Sequence, residues 1–277
     1  MISALFSLFR GKPVHPVGAD GRMALSDHLR ELRARILRVA LVMLVVLIGS
    51  LFFFDHLFDL VYGPYLEAKR HLPKNSSIAT TNGPGGGLML YLKLCGFAAL
   101  IGTAPYWLYQ IWAFILPGLH ANEKRWSRIF VAIAVPLFVA GVLLGYFTLP
   151  KGLEILIGIN PGGITNLVEF SSYLQFFSRT ILVFGLAFEI PVFVVLLNRA
   201  GLVSGKTLGA YRSWIIIGIF VFAAAATPST DPFTMTFMAV PMVALFLVSE
   251  VIARANDRRK AARRPGAGLS PDEASPL

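Results

Sequence analysis

Six long apolar runs separate short charged segments along this chain. A helix needs about 20 residues to cross the hydrocarbon core of a bilayer, within a range of roughly 17–25. Most of the runs reach that range, and none is interrupted by a cluster of charges. The pattern predicts an all-α integral membrane protein with six transmembrane helices, which cover residues 39–54, 94–116, 129–149, 180–197, 213–226 and 233–249.

The fifth run, 213–226, is too short for a straight span of ordinary length. It could form a re-entrant hairpin with the sixth run, which would leave four full spans, or both could be short spans that thin the bilayer locally. We favour two short spans, because the turn 227–232 between them is compact and polar. Prolines inside four of the runs predict kinked helices and a concave bundle; they are Pro105, Pro136, Pro191 and Pro241.

The composition fits a membrane protein and excludes several other classes. Hydrophobic residues make up 56% of the chain and charged residues 14%, against about 25% charged in a soluble domain. The net charge of +10 borders the apolar runs, which is typical of membrane topology rather than of nucleic-acid binding. Cys95 is the single cysteine, and all five histidines lie outside the runs. We therefore expect no disulfide within the chain, no haem and no other cofactor.

The distribution of lysine and arginine predicts the orientation. Nineteen of them fall in the N-terminal tail, the second and fourth connections and the C-terminal tail, against four on the opposite face. Cationic loops stay in the cytoplasm, so both termini are predicted to be cytoplasmic. The predicted organisation is a cytoplasmic tail 1–24, a membrane domain 25–252 and a basic, disordered tail 253–277.

Two acids stand out on the cationic face. Segment 26–35 is typical of an amphipathic helix, in which Glu31 and Arg35 are four residues apart and can form a solvated ion pair. Glu123 is likewise an acid beside cationic residues, Lys124 and Arg125. Each carboxylate could instead accept a guanidinium group bidentately.

Glu189 lies in the middle of the fourth run, two residues before Pro191. A charge at that depth costs about 2.5–3.5 kcal/mol even on insertion scales. We expect this carboxyl to be protonated, or hydrogen-bonded to a partner inside the bundle. Arg179 is about 15 Å away along a helix axis and is expected to extend outward instead.

Residues 200–207 nearly match a phosphate-binding loop, but they fill a short connection between two apolar runs. Such a loop belongs between a strand and a helix of a nucleotide-binding domain, so Gly201 is expected to end one helix and Ser204 to cap the next. The sequence also offers no nucleophile with a base beside it, and we expect no enzymatic activity.

Several stretches, taken together and in this order, resemble the C subunit of the twin-arginine protein translocase, the TatC family. They are residues 28–33, 105–117, 123–125, 184–191, 227–231 and 239–241. The resemblance implies a receptor in the bacterial plasma membrane for folded proteins that carry a signal peptide with paired arginines. It also implies A- and B-type single-span subunits and further copies of the chain as partners, with transport driven by the proton-motive force.

The resemblance also assigns roles to individual residues. Signal-peptide binding falls to Glu31 and Glu123, with Phe114 and the neighbouring arginines at positions 33 and 125 (Arg33 and Arg125). An intramembrane polar contact for partner helices falls to Glu189, Gln110 and Thr227, and Asp231 lies in the outer loop. The main alternative function is a proton-coupled small-molecule transporter that titrates at Glu189, and a third is a structural membrane scaffold.

Overall fold

The computed structural model describes residues 25–73, 77–81, 83, 85–115, 123–159, 165–226 and 232–262. In the helix that begins at Glu123, side chains are described from Ile129 onward. Within these ranges the chain forms helices throughout, apart from two four-residue strands. The elements are α1 Leu25–Leu51, α2 Phe54–Arg70, β1 Ser77–Thr80, α3 Gly86–Gly102, α4 Ala104–Ile115, α5 Glu123–Gly158, β2 Asn166–Glu169, α6 Phe170–Ala187, α7 Ile190–Arg199, α8 Gly205–Ala210, α9 Arg212–Ala226 and α10 Pro232–Ala262.

Among the described helices, four stretches are long and apolar enough to cross a membrane. They are His28–Leu51, Ile129–Gly158, Phe170–Arg199 and Met235–Ala262. The pair α3 and α4 adds a fifth if it is counted as one bent span. Helix α9 coincides with the fifth apolar run and is shorter than a full span. The prediction of a helical membrane protein is confirmed, whereas a sixth span remains a prediction.

The prolines have unequal effects on the helices. Pro105 follows a bend of 54° between α3 and α4, and Pro191 lies in the first turn of α7, directly after the break at Phe188 and Glu189. A proline at these positions removes a backbone donor that would continue the preceding helix. Pro136 and Pro241 lie inside α5 and α10, which continue through them.

Close packing of α5 against α6 fixes the centre of the bundle. A Cβ added to Gly141 would come within 2.4 Å of the Phe184 carbonyl oxygen, and one added to Gly185 would come within 2.7 Å of the Phe138 ring. Small residues at these positions let two membrane helices approach closely. This contact places the end of α6, and therefore Glu189, against the interior of the bundle.

The sequence analysis did not predict α2 or the strands. Aromatic residues on one face of α2 explain its position, because Phe58 stacks on Phe170 and Tyr65 lies beside Tyr173. The Tyr173 hydroxyl also donates to the Val61 carbonyl at 2.6 Å. Strands β1 and β2 pair in parallel, and these elements together define what we call the strand end of the molecule.

The opposite end, here called the Glu31 end, comprises the first turns of α1, the end of α4, helix α8 and the last turns of α10. Arg35 of α1 contacts Gln110 of α4, and the end of α7 packs beside α4 in one apolar cluster. Asn198, also at the end of α7, bonds to Asp257 in α10. Helix α10 thus continues to Ala262, so the first ten residues of the predicted disordered tail are helical, because they pack against α7 and α8.

Candidate functional site

Glu31 and Arg35 form the predicted ion pair, but it is not a freely solvated one. Arg35 donates from both Nε and Nη2 to Oε1 of Glu31, the Nε bond measuring 2.9 Å. The two side chains are only 17% and 16% exposed. The pair is therefore largely enclosed at the boundary between α1 and α4.

The remaining donors of Arg35 tie the pair to α4. Nη1 donates to Oε1 of Gln110 at 2.9 Å, and Nη2 donates to the carbonyl oxygen of Ala113 at 3.1 Å. A guanidinium group held by three acceptors has little rotational freedom, and it orients the carboxylate of Glu31 in turn. Within the described residues, Oε2 of Glu31 receives no hydrogen bond. One oxygen of a fixed carboxylate is thus left for another donor.

Phe114 lies next to this network. Its ring stacks on the imidazole of His28, with centroids 4.3 Å apart and planes inclined by 12°. The same turn of α4 that carries the Ala113 carbonyl therefore also presents an aromatic side chain to the start of α1. Glu31 and Phe114 therefore lie in the same region of α1 and α4, and their joint role in one binding site remains a prediction.

The other predicted residues of this site have different outcomes. Arg33 is exposed on α1. Glu123 and Arg125 lie in the first turn of α5, and their side chains are outside the described part of the chain. Gln110, which was assigned with Glu189 and Thr227 to an intramembrane polar contact, is buried and bonded to Arg35, and its role in partner contact remains a prediction. Thr227 and Asp231 also lie outside the described residues.

Glu189 occupies the break between α6 and α7 and is 9% exposed. Neither of its buried carboxyl oxygens makes a hydrogen bond of normal geometry in the described structure, and the same is true of the Trp112 indole nitrogen and the Thr180 hydroxyl. The Trp112 indole nevertheless lies close enough to act on the carboxyl as a donor. An unsatisfied buried polar group costs about 1–3 kcal/mol. Glu189 is therefore a buried carboxyl inside the bundle that makes no hydrogen bond of normal geometry in the described part of the chain.

The sequence analysis missed a second polar cluster at the Glu31 end. Glu250 is buried in α10 and accepts from Arg212 at 2.8 and 2.9 Å and from Arg254 at 2.6 Å. The spacing of Glu250 and Arg254 by four residues could have indicated that pair. Arg212 lies 38 residues away, and no local pattern connects it to Glu250.

The loop resembling a phosphate site is occupied by the chain itself. Asp257 accepts a hydrogen bond from the backbone nitrogen of Gly205 at 2.6 Å, which is where a phosphate would approach. The predicted ends of the helices are confirmed, because Gly201 adopts a φ of 79° after α7 and Ser204 caps α8 through the Thr207 nitrogen. This segment is a structural connection between helices.

Comparisons with known proteins agree with this arrangement. The family model described as Sec-independent protein translocase protein (TatC) matches residues 27–241. The TatC of Frankia casuarinae is 40% identical over 268 residues, which cover 93% of this chain and 74% of that protein. The TatC of Xylanimonas cellulosilytica is 38% identical over 242 residues, with 87% of each chain covered.

A solved structure gives the same result for the fold. The crystal structure of the twin-arginine translocase receptor TatC superposes with a TM-score of 0.71 at 29% identity, and the match covers 83% of this chain and all of the other. The match of the family model over most of the chain, together with these relatives, identifies the molecule as a translocase component and not an enzyme. The chain belongs to the TatC family of Sec-independent protein translocase proteins.

Proposed function

We propose that this chain is the receptor subunit that binds paired-arginine signal peptides of folded proteins and nucleates the translocation complex. The observation that carries the proposal is the fixed carboxylate of Glu31, whose Oε2 receives no hydrogen bond within the described residues. An arginine of the peptide donates to this oxygen, and a charge-assisted bond of this kind contributes about 1.5–3 kcal/mol.

A second carboxylate accepts the second arginine. Glu123 begins α5 eight residues after α4 ends at Ile115, so the short connection keeps it at the Glu31 end. Phe114 packs against the apolar residues that follow the arginine pair. Arg33 and Arg125 flank the two acids in the sequence, and their charge opposes an approaching arginine pair. Ionic screening over about 8 Å reduces that repulsion.

Electrostatics alone does not account for binding. Two charge-assisted contacts give about 3–6 kcal/mol, whereas a micromolar complex needs about 8 kcal/mol. The difference comes from the apolar part of the signal peptide, at about 25 cal/mol per Å² buried. Helix α1 offers a surface for it, because Leu41, Leu44, Val45 and Ile48 are each at least half exposed.

Glu189 serves a separate step, the assembly with single-span A- and B-type subunits. Its two oxygens, which make no hydrogen bond of normal geometry within the described residues, supply a hydrogen-bonding point for a polar side chain of an incoming helix. Thr227 extends this contact, and Asp231 keeps the outer-loop role that the family resemblance assigns to it. In this arrangement the Glu31 end faces the cytoplasm of a bacterium, both termini are cytoplasmic, and the proton-motive force drives transport.

This buried carboxyl also supports one alternative, a proton-coupled transporter of small molecules that uses Glu189. That function requires Glu189 and does not require Glu31 or Glu123. Loss of solute transport in Glu189→Gln, with full activity in Glu31→Gln, would favour it over the receptor.

Peptide binding to the purified protein tests the receptor function. Glu31→Gln should weaken binding of a paired-arginine peptide by roughly tenfold or more, and should affect the paired-lysine version much less. A guanidinium fork can place two N–H donors on the one free oxygen, as Arg35 does on Oε1, whereas a lysine ammonium meets that oxygen as a point charge. Glu67→Gln is the matched control, since Glu67 is an exposed acid at the strand end. Equal losses for both peptides, or a loss in the control, would count against the site.

A further inference from the structure

A basic cavity of about 650 Å³ lies between α8 and the last turns of α10. It has no part in the proposed recognition of signal peptides, which takes place at α1 and α4. Four cationic side chains line it, together with one acid and small residues of α8; the charged ones are Lys206, Arg254, Arg258, Lys260 and Asp257.

Hydrogen bonds within the chain connect the walls of this cavity. Asp257 is held on both oxygens, by the Asn198 side chain at 2.7 Å and by the Gly205 nitrogen at 2.6 Å. Lys260 donates to the Asn198 carbonyl at 2.9 Å. The guanidinium of Arg254 lies directly over Gly209, where an added Cβ would collide with it. The cavity is therefore held in shape by bonds within the chain.

The charge of the cavity is not balanced internally. Both carboxylate oxygens of Asp257 accept hydrogen bonds, from Asn198 and Gly205, and Arg254 is paired with Glu250. Lys206 and Arg258 are exposed and have no ion-pair partner within the described part of the chain. Two uncommitted cations facing one cavity indicate a ligand with a phosphate group.

The surroundings of the cavity favour a lipid over a soluble ligand. Arg258 lies about 12 Å beyond Glu250 along the axis of α10, just past the apolar part of the span. Exposed apolar and aromatic side chains border this level, namely Tyr211, Trp214, Val251 and Ile252. Aromatic residues with nearby cations are typical of the interface between hydrocarbon and headgroups.

We propose that this cavity binds the headgroup phosphate of an anionic phospholipid, with the acyl chains lying along α9 and α10. Lys206 and Arg258 contact the phosphate, and the half-exposed Arg254 adds positive potential. Basic pockets at the cytoplasmic side of membrane helices are suited to such headgroups. The site is independent of the proposed receptor function, because it depends on Lys206 and Arg258 and on none of the residues of α1 and α4.

Lipid binding to the full-length protein in detergent tests the proposal. Native mass spectrometry would follow titrations with phosphatidylglycerol and with phosphatidylcholine. The double variant Lys206→Gln/Arg258→Gln should lose roughly tenfold in affinity for phosphatidylglycerol and keep its affinity for phosphatidylcholine. The control Lys69→Gln/Arg70→Gln removes the same charge from exposed positions at the strand end and should change neither affinity.

Further variants separate the possible outcomes. Lys206→Arg/Arg258→Lys keeps both charges and should keep binding, and an unchanged affinity of the glutamine variant for phosphatidylcholine would exclude a general loss of folding as the cause. Equal affinities in the glutamine variant and its control would overturn the proposal. Binding of glycerophosphoglycerol, the headgroup without acyl chains, as tightly as the whole lipid would also overturn it, because the cavity would then be a site for soluble phosphates.

Discussion

Arg35 of α1 donates a hydrogen bond from Nη1 to Oε1 of Gln110 of α4, a residue 75 positions further along the chain. The same guanidinium holds the carboxylate of Glu31. The Arg35 side chain therefore both attaches α1 to α4 and orients the carboxylate of Glu31. A change that detaches α1 from α4 should also disturb Glu31.

Replacing Arg35 tests this coupling. Arg35→Gln removes charge-assisted bonds from a side chain that is largely enclosed, and such bonds contribute about 1.5–3 kcal/mol. We expect a lower midpoint in thermal unfolding of the purified protein and weaker binding of a paired-arginine peptide. Arg33→Gln, an exposed neighbour on the same helix, should leave the midpoint unchanged. Equal midpoints for the two variants would show that the network contributes nothing to the attachment of α1.

The space around Gly141 and around Gly96 predicts opposite effects of alanine at the two positions. Gly141→Ala would place a Cβ 2.4 Å from the Phe184 carbonyl oxygen, so the helices must separate, at a cost of about 1–3 kcal/mol. Gly96→Ala in α3 meets no atom within 4 Å and should stabilise that helix by about 0.5–1 kcal/mol. Thermal unfolding of both variants measures the difference. A Gly141→Ala protein as stable as Gly96→Ala would contradict the packing.

Glu189 should matter for assembly and not for folding. Because its carboxyl makes no hydrogen bond of normal geometry within the described residues, Glu189→Leu should leave the stability of the isolated chain unchanged or raise it by about 1–3 kcal/mol. Export of a folded twin-arginine substrate should nevertheless be lost, whereas peptide binding should persist. Glu154→Leu, which alters an acid paired with exposed Lys151, is the control for export. A large loss of stability in Glu189→Leu would reveal a partner within the chain.

Glu250 of α10 holds the start of α9 through its ion pair with Arg212. Glu250→Gln would leave Arg212 and Arg254 without their counter-charge. We expect a destabilisation of only about 1–3 kcal/mol, because both arginines remain half exposed to solvent. Thermal unfolding is again the measurement. Glu67→Gln breaks only exposed ion pairs and should change stability by less than about 0.5 kcal/mol. Similar effects in both variants would contradict the role of Glu250.

Local spacing explains which parts of this structure could be predicted. The Glu31–Arg35 pair follows from a separation of four residues on one helix, and the helix ends at Gly201 and Ser204 follow from their residue types. The apolar runs predicted the long helices because a bilayer requires continuous apolar length. Each of these features depends on residues close together in the sequence.

Contacts between distant residues could not be predicted in this way. The bonds from Arg35 to Gln110 and from Asn198 to Asp257 join positions 75 and 59 residues apart. Helix α2 and the pairing of β1 with β2 depend on aromatic packing across the strand end, and their sequences have no long apolar run. The enclosure of Glu31 and the second polar cluster are therefore properties of the assembled bundle.

Photocrosslinking tests the central claim most directly, that the arginine pair of a signal peptide is held at the Glu31 end. A peptide with a photoreactive side chain next to its arginine pair would be bound to the purified protein, irradiated and mapped by mass spectrometry. We predict crosslinks to residues 28–38 of α1 and 110–115 of α4, which Glu31→Gln should reduce. Crosslinks concentrated at the strand end, in residues 77–81 and 166–169, would contradict the account.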